Sequence, residues 1–284
     1  MTERTEREAL ARDLRGRLEV LRAAGVRYAL LGRESTAAPA PPPEPPASVH
    51  EPLPAPGQTA LFDTQETSPM PSRAPAKKGF TLPPLPFDPK SEMALDALAA
   101  AVDGCLRCKL GAGRTNLVFG AGNPDADIVF IGEAPGADED AQGIPFVGRS
   151  GQMLTRMIEN VIEIPRGEVY IGNILKCRPP GNRDPEHDEI GCCEPYLHKQ
   201  LEIIRPRIIV ALGRFAAQWL LATKTPIGRM RGKFGRYRGI PTLATYHPAY
   251  LLRSPREKRT VLDDLLKVKA IYNGEAEPEI EIFG

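Results

Sequence analysis

The sequence predicts an α/β fold, a three-layer α/β/α sandwich around a mostly parallel central sheet. Three observations predict it. The runs Ile128–Ile131, Val169–Ile174, Ile208–Leu212 and Thr242–Tyr246 are short, largely apolar and rich in β-branched residues, as strands buried on both faces must be. Helical patterns over 151–163, 185–204, 214–222 and 256–271 lie between and after them, and that alternation builds a parallel sheet covered on both sides. No Walker loop occurs and no GxGxxG follows a strand, which sets aside the common nucleotide-binding variants of the architecture.

In chain order, residues 4–23 place Leu10, Leu14, Leu18 and Leu21 on one helical stripe, and a β-like run, Val26–Leu31, follows Gly25. A 1–35 extension is too small to hold its own core and should dock elsewhere. Residues 36–90 hold more than half of the chain's 30 prolines with little periodic apolar signal, a composition that predicts a disordered, locally extended linker. Inside it, Gln58-Thr59-Ala60-Leu61-Phe62 sets two large apolar side chains in a polar tether. The folded domain is expected over 91–272. It opens with a helix carrying Met93, Leu95, Leu98 and Val102 and closes on Cys105-Leu106-Arg107-Cys108. The acidic 273–284 tail should fray.

The formal charge is +1 over 284 residues, so any nucleic-acid affinity must come from local patches. No apolar run approaches the ~18 residues of a membrane span. The N-terminus is too charged for a signal peptide. Five unevenly spaced cysteines then argue for a reducing compartment rather than a disulfide framework. A cytoplasmic, monomeric protein is expected.

Candidate chemistry clusters at strand ends. Gly132 ends the first strand, and Glu133 follows it in a Gly-rich loop with Asp138, Glu139 and Asp140, before a helix that starts near Gln152. Asn173 and His247 also fall at the carboxyl ends of strands, where open α/β sheets bind ligands. Cys105 and Cys108 form a CxxC, and Cys177 follows a strand. Cys192 and Cys193 lie in a helix with Asp184 expected as N-cap and Pro185 at its first position. Cys193 shares the stripe of Ile190, Leu197, Leu201 and Ile204, whereas Cys192 is rotated about 100° away. Four thiols of this kind suit structural zinc or an iron–sulfur cluster. Lys224 to Arg238 carries six basic residues and no acid, interleaved with glycines and the rings of Phe234 and Tyr237. That pattern, with Arg231 and Lys233 at its centre, suits a phosphate-tracking loop.

GEAPGxxED…PFVGxxG, NxxKCRPPxNRDP and HPAYLLR, with the spacing of Cys105, Cys108, Cys177 and Cys193, resemble the family-4 uracil-DNA glycosylases over roughly residues 91–272. Lys176-Cys177-Arg178 is unlike the covalent uracil-trapping branch, and Glu133 is unlike the apolar residue of family-5 relatives. The resemblance implies hydrolysis of the bond between uracil and deoxyribose in DNA, and a [4Fe–4S] cluster on those four cysteines, with structural zinc as the alternative.

It also implies roles for single residues. Phe146 would stack on a flipped uracil. Asn173 would read its N3–H and O4, the reverse of cytosine's pattern. His247 would donate to O2, and Glu133 would position or deprotonate the attacking water. Backbone amides of Gly132 and Ala134 would touch the base, with Glu139 and Asn182 in support. Ser150, Arg231, Lys233 and Arg253 would contact DNA, and Leu251 and Leu252 would wedge into the vacated stack. Gln58, Leu61 and Phe62 resemble the peptide by which bacterial proteins dock on the replicative sliding clamp, which would place the enzyme at the nucleoid. Two other readings are a broader-range base glycosylase and a non-catalytic DNA-binding module tethered to the replication machinery.

Overall fold

A computed structural model describes residues 82–283. The expected N-terminal helix, the β-like run, most of the Pro-rich stretch and the Gln58–Phe62 peptide lie outside the described residues. One six-stranded sheet organises the rest, in the order β1-β3-β2-β4-β6-β5. Its strands are β1 (Ala121–Gly122), β2 (Ile128–Gly132), β3 (Tyr170–Asn173), β4 (Ile208–Leu212), β5 (Phe234–Tyr237) and β6 (Ile240–Thr245). The inner strands β3, β2, β4 and β6 are parallel, and β1 and β5 are antiparallel edges.

Side-chain alternation along these strands explains the three layers. Val129, Ile131, Ile209, Ala211 and Ala244 face one helical layer, formed by α1 (Leu95–Val102), α4 (His187–Ile204) and α5 (Gly213–Leu220). Ile128, Phe130, Val210, Leu212 and Leu243 face the other. That second layer is formed by α3 (Arg149–Met157, extended by one π turn over Ile158–Ile162) and α8 (Lys258–Tyr272). Both faces of each inner strand are dry, which is why the sequence shows unbroken apolar runs there. The remaining short helices are α2 (Ala137–Gln142), α6 (Ile227–Met230) and α7 (Pro248–Arg253). From β2 the chain turns one way to β3 and then crosses to β4 on the other side. The topological switch therefore lies at the carboxyl ends of β2 and β4.

Several expected boundaries move. Helix α4 starts at His187, not at Pro185: the Glu186 N–H donates to Glu189 Oε2 at 2.8 Å, and Asp184 instead pairs with Arg214 at 2.9 Å. The acidic loop after β2 contains α2. Half of the basic Lys224–Arg238 stretch is α6 and β5, whose Phe234 and Tyr237 are buried while Arg236 points out. Within the tail, the Glu281 N–H donates to the Phe234 carbonyl at 2.7 Å and Lys233 pairs with Glu281 at 2.8 Å. No described helix is long and apolar enough to cross a membrane.

The expected linker also ends earlier than Lys90. Leu85 and Phe87 pack on the first core layer, and the Phe87 ring lies 6.0 Å from that of Tyr196. Arg107 Nε donates to the Pro83 carbonyl at 3.1 Å, and Lys199 Nζ donates to the Pro89 carbonyl at 3.2 Å. Phe87→Ala is expected to destabilise the domain by about 1–2 kcal/mol, since it removes a large part-buried ring. The melting temperature should fall by about 2–4 °C per kcal/mol in a domain of this size. An unchanged melting temperature would show that the segment rests on the core without supporting it.

Candidate active site

Parallel strands end on the same side of a sheet, and here they deliver the site. Gly132 at the end of β2 stands opposite Asn173 at the end of β3. Beyond the strands the pairing continues: the Ile174 N–H donates to the Gly132 carbonyl and the Leu175 N–H to the Glu133 carbonyl, each at 3.0 Å. Glu133 and Asn173 are thus held side by side by backbone alone. His247 follows β6 and caps α7, its Nδ1 accepting the Ala249 N–H at 3.2 Å. Gly213, directly after β4 at φ +89°, leaves room for it, because a Cβ there would come within 2.9 Å of the His247 Cβ.

Phe146 completes the set. Its ring lies 5.5 Å from that of His247. A Cβ on Gly132 would meet Phe146 Cζ at 2.7 Å and would also collide with Asn173 Oδ1. The bare α-carbon of Gly132 is therefore a requirement of the site. Phe146 sits at φ 54°, a conformation a bulky residue keeps only under constraint. Arg166 Nη2 supplies part of that constraint, donating to the Pro145 carbonyl at 2.9 Å and the Phe146 carbonyl at 3.1 Å. Glu139 supplies another part. Its Oε1 accepts the Val147 and Gly148 N–H groups at 3.0 and 3.2 Å, and its Oε2 accepts the Gly136 N–H at 3.1 Å.

Glu133, Glu139, Phe146, Asn173 and His247 line one cavity of about 470 Å³, together with Ala134, Ser150, Asn182, Arg183, Tyr250 and Arg253, while Gly132 is not among its lining residues. Asn173 is 2% exposed, and its Oδ1 has no hydrogen-bond partner among the described residues. A buried amide oxygen without a partner is costly and asks for a donor. Glu133 is raised to about 7, first by burial and then by Asp184, with Arg214 opposing. His247 is lowered to about 4 by burial and then by Arg253. The imidazole is neutral at ordinary pH, and acceptance of the Ala249 N–H by Nδ1 leaves the ring proton on Nε2.

Some expected DNA contacts take other positions. Leu251 is 1% exposed in the second core layer, so it cannot wedge into a base stack; Leu252, at 39%, is free of the core. Arg231 is committed to buried Asp264 and to the Thr260 carbonyl, and Lys233 to Glu281. Ser150 and Arg253 do line the cavity. Asn182 Oδ1 accepts from Arg178 Nε at 2.9 Å. Sequence reasoning passed over Arg183, Tyr250 and the Asp184–Arg214 pair, although Arg183 and Asp184 stand inside the NRDP motif.

A second cluster lies behind β3. Cys105, Cys108, Cys177, Cys192 and Cys193 are all free thiols and line one apolar pocket with Lys176 and Tyr196. Burial raises the thiols of Cys108 and Cys177, and pushes Cys192 to about 11 and Cys193 to about 12. Donors nevertheless point at three of the sulfurs or share a hydrogen bond with them. The Lys176 N–H reaches Cys193 Sγ at 3.2 Å, Arg114 Nη1 reaches Cys177 Sγ at 3.4 Å, and the Tyr196 hydroxyl lies 3.0 Å from Cys105 Sγ. Cys192 Sγ faces the Arg107 carbonyl at 3.2 Å. Helix phase separates the two neighbouring cysteines less than expected, since Cys192 is 1% exposed. Among the described residues, no three His, Cys, Asp or Glu side chains converge on a single-ion site.

The family model of the Uracil DNA glycosylase superfamily matches residues 119–266. The chain is 46% identical to the type-4 uracil-DNA glycosylase of Saccharolobus solfataricus over 183 residues, covering 62% of this chain and 85% of that protein. It is 43% identical to the type-4 uracil-DNA glycosylase of Sulfurisphaera tokodaii, over 62% of this chain and 84% of that protein. The type-4 enzyme of Thermotoga maritima is 42% identical, over 65% of this chain and 97% of its own length. On this similarity the chain belongs to the type-4 uracil-DNA glycosylases of the uracil-DNA glycosylase superfamily.

Proposed function

We propose that this chain hydrolyses the N-glycosidic bond of uracil in DNA through Glu133, Asn173 and His247, leaving an abasic site. The observation that carries the assignment is the meeting of these three side chains and Phe146 in one cavity, with Asn173 Oδ1 unpartnered. A base within a duplex must leave the stack, at ~a few kcal/mol. Phe146 returns ~1–3 kcal/mol by stacking. Asn173 Oδ1 accepts uracil N3–H while its amide N–H donates to O4. Cytosine offers an acceptor at N3 and a donor at its exocyclic amine, so it fits neither atom.

As the bond to C1′ breaks, the electron pair moves onto uracil and positive charge grows on the sugar. The neutral His247 donates Nε2–H to O2, where the negative charge collects. Glu133, in its ionised form, orients the water and takes its proton as the new bond to C1′ forms. Glu139 acts at one remove, holding the Gly136–Gly148 loop and with it the Phe146 ring. Ser150, Arg253 and Leu252 face the DNA. His247→Ala should lower kcat about 10²–10³-fold, and Asn173→Ala about 10–100-fold. Both follow from a gel assay of alkali-labile sites in uracil-containing DNA.

Glu133 gives the reaction a pH dependence. Because the carboxylate is the active form, kcat/KM should rise with pH and level off above about 7, with no step from His247 above about 4. Its folded pKa lies above the unfolded value of 4.5, so the native state holds the proton longer. Stability contributed by this group is present below pH 4.5 and lost as pH rises to about 7. Glu133→Gln should therefore be inactive yet more stable than the parent above pH 7, by on the order of 1–3 kcal/mol. A flat rate profile, or a Gln variant no more stable, would remove Glu133 from the base role.

The donor set of the second cluster fits an iron–sulfur centre: Cys105, Cys108, Cys177 and Cys193 line one apolar pocket, and N–H donors aimed at sulfur are a usual support of cluster thiolates. When bound, a [4Fe–4S] centre there supplies covalent cross-links between the CxxC loop, the segment after β3 and α4. Purified protein should be brown. Cys193→Ser should lose iron and Cys192→Ser keep it, by metal analysis; the reverse result would move the fourth ligand to Cys192.

The Gln58–Phe62 peptide supports a further partner. Leu61 and Phe62 stand adjacent in a stretch otherwise rich in proline and polar residues, and such anchors fit a groove on another protein. A peptide of residues 55–66 should bind the bacterial sliding clamp, and the Leu61→Ala/Phe62→Ala peptide should not. Equal weak binding by both would exclude the clamp as partner.

A further inference from the structure

Lys176 has no part in the reaction just described, yet it occupies the space between the two sites. Its side chain is fully buried. Its Nζ donates to the backbone carbonyl of Asn173 at 2.7 Å, and it makes no ion pair with a carboxylate among the described residues. Its own backbone N–H meets Cys193 Sγ at 3.2 Å, and the residue lines the cysteine pocket. Cys193 and Cys177 line that same pocket. A buried ammonium needs a counter-charge as well as a hydrogen-bond acceptor. Here the acceptor belongs to the residue that reads uracil, and the counter-charge would come from the thiolates of Cys177 and Cys193 when they hold the centre.

We propose that Lys176 is a positioning residue: held by the anionic thiolate centre, it fixes the backbone of Asn173 and thereby aims the Asn173 amide at the base. The inference rests on the uracil-reading role of Asn173 and on the four-cysteine centre. Asn173 is the last residue of β3, with Gly132 as its neighbour on one side and the loop to Cys177 beyond it. Its carbonyl lies where the sheet ladder ends, and the Lys176 ammonium replaces the missing strand partner. Rotation of that peptide would swing the side-chain amide away from Phe146. In this arrangement the centre does more than pin loops together, since its charge is what keeps a cation next to the Asn173 carbonyl.

The test is a double-mutant cycle on the full chain. Lys176→Met keeps the shape and removes both charge and donor; Lys176→Gln keeps a donor and removes the charge. Lys176→Met is expected to retain the parent's iron content and to lower kcat/KM on uracil-containing DNA about 10–100-fold, the usual effect of losing such an outer-shell partner. Inhibition by free uracil should weaken in step. In the Asn173→Ala background the same substitution should change the rate less than about twofold, because a residue that acts through Asn173 has nothing left to act on. Lys176→Gln should recover part of the loss.

Equal losses in the two backgrounds would overturn the proposal, as would parental activity in Lys176→Met. Loss of iron from both Lys176 variants would also overturn it, because Lys176 would then serve the centre alone. Failure of the underlying reading shows separately, as an Asn173→Ala enzyme with parental rates or a parent without iron.

Discussion

The parallel register that sets Gly132 opposite Asn173 is the constraint on which the rest of the site depends. Two strands paired in parallel end together, so their following residues emerge at one level on one side of the sheet. The two backbone bonds beyond the strands, from Ile174 and Leu175 to Gly132 and Glu133, extend this order into the loops. A slip of one residue would turn Asn173 to the opposite face. It would also put a side chain where the bare α-carbon of Gly132 now allows the Phe146 ring and the Asn173 amide to meet. The apolar residues of and beside β3 make such a slip expensive, because Val169, Tyr170 and Ile171 change layer with it.

Against that rigid frame the cavity holds a set of locally unfavourable features. Phe146 is at positive φ, Asn173 Oδ1 lacks a donor among the described residues, Glu133 is pushed toward its neutral form and His247 is kept from protonating. Each opposes stability by an amount the two hydrophobic layers absorb, and in the proposed reaction each would be relieved or used when a uracil with its N3–H and developing O2 charge enters. Burial acts on the two ionisable groups in opposite chemical senses. It raises the acid into the range where it accepts a proton near neutrality, and it lowers the base so that the imidazole stays a neutral donor. One dry environment thus prepares both partners, while Asp184 with Arg214 on one side and Arg253 on the other make the finer adjustment.

The inner strands were legible in the sequence because burial on two faces leaves unbroken apolar runs, and the strand-end rule then brought Glu133, Asn173 and His247 together. The edge strand β5 was not, although Phe234, Arg236 and Tyr237 do alternate. The basic residues around it drew attention to charge and away from the period of two, and Asp264 and Glu281, the ionic partners of Arg231 and Lys233, lie far along the chain. Leu251 and Leu252 show a similar limit: in a helix as short as α7 the phase that buries one and exposes the other is set by packing on α3 rather than by any visible periodicity. Glu139 looked like chemistry because a carboxylate in a glycine-rich loop often is. Only coordinates show that three backbone amides occupy both of its oxygens.

The neighbouring cysteines of α4 carry the reasoning one step further. Helix phase separates Cys192 from Cys193 by about 100°, which in an isolated helix against one core would expose the first and bury the second. Here α4 is covered on a second side by the CxxC loop and by Leu82–Pro89, and both thiols are buried. Burial therefore cannot choose between them. Hydrogen-bond direction can. A thiolate that binds metal has no proton, so its sulfur accepts, as Cys193 Sγ does from the Lys176 N–H. Cys192 Sγ faces a carbonyl oxygen, which repels a thiolate and asks for the thiol proton. The same helix thus offers one sulfur placed to accept a hydrogen bond and one placed to donate, and this contrast favours Cys193 as the ligand although burial raises its thiol further than that of Cys192.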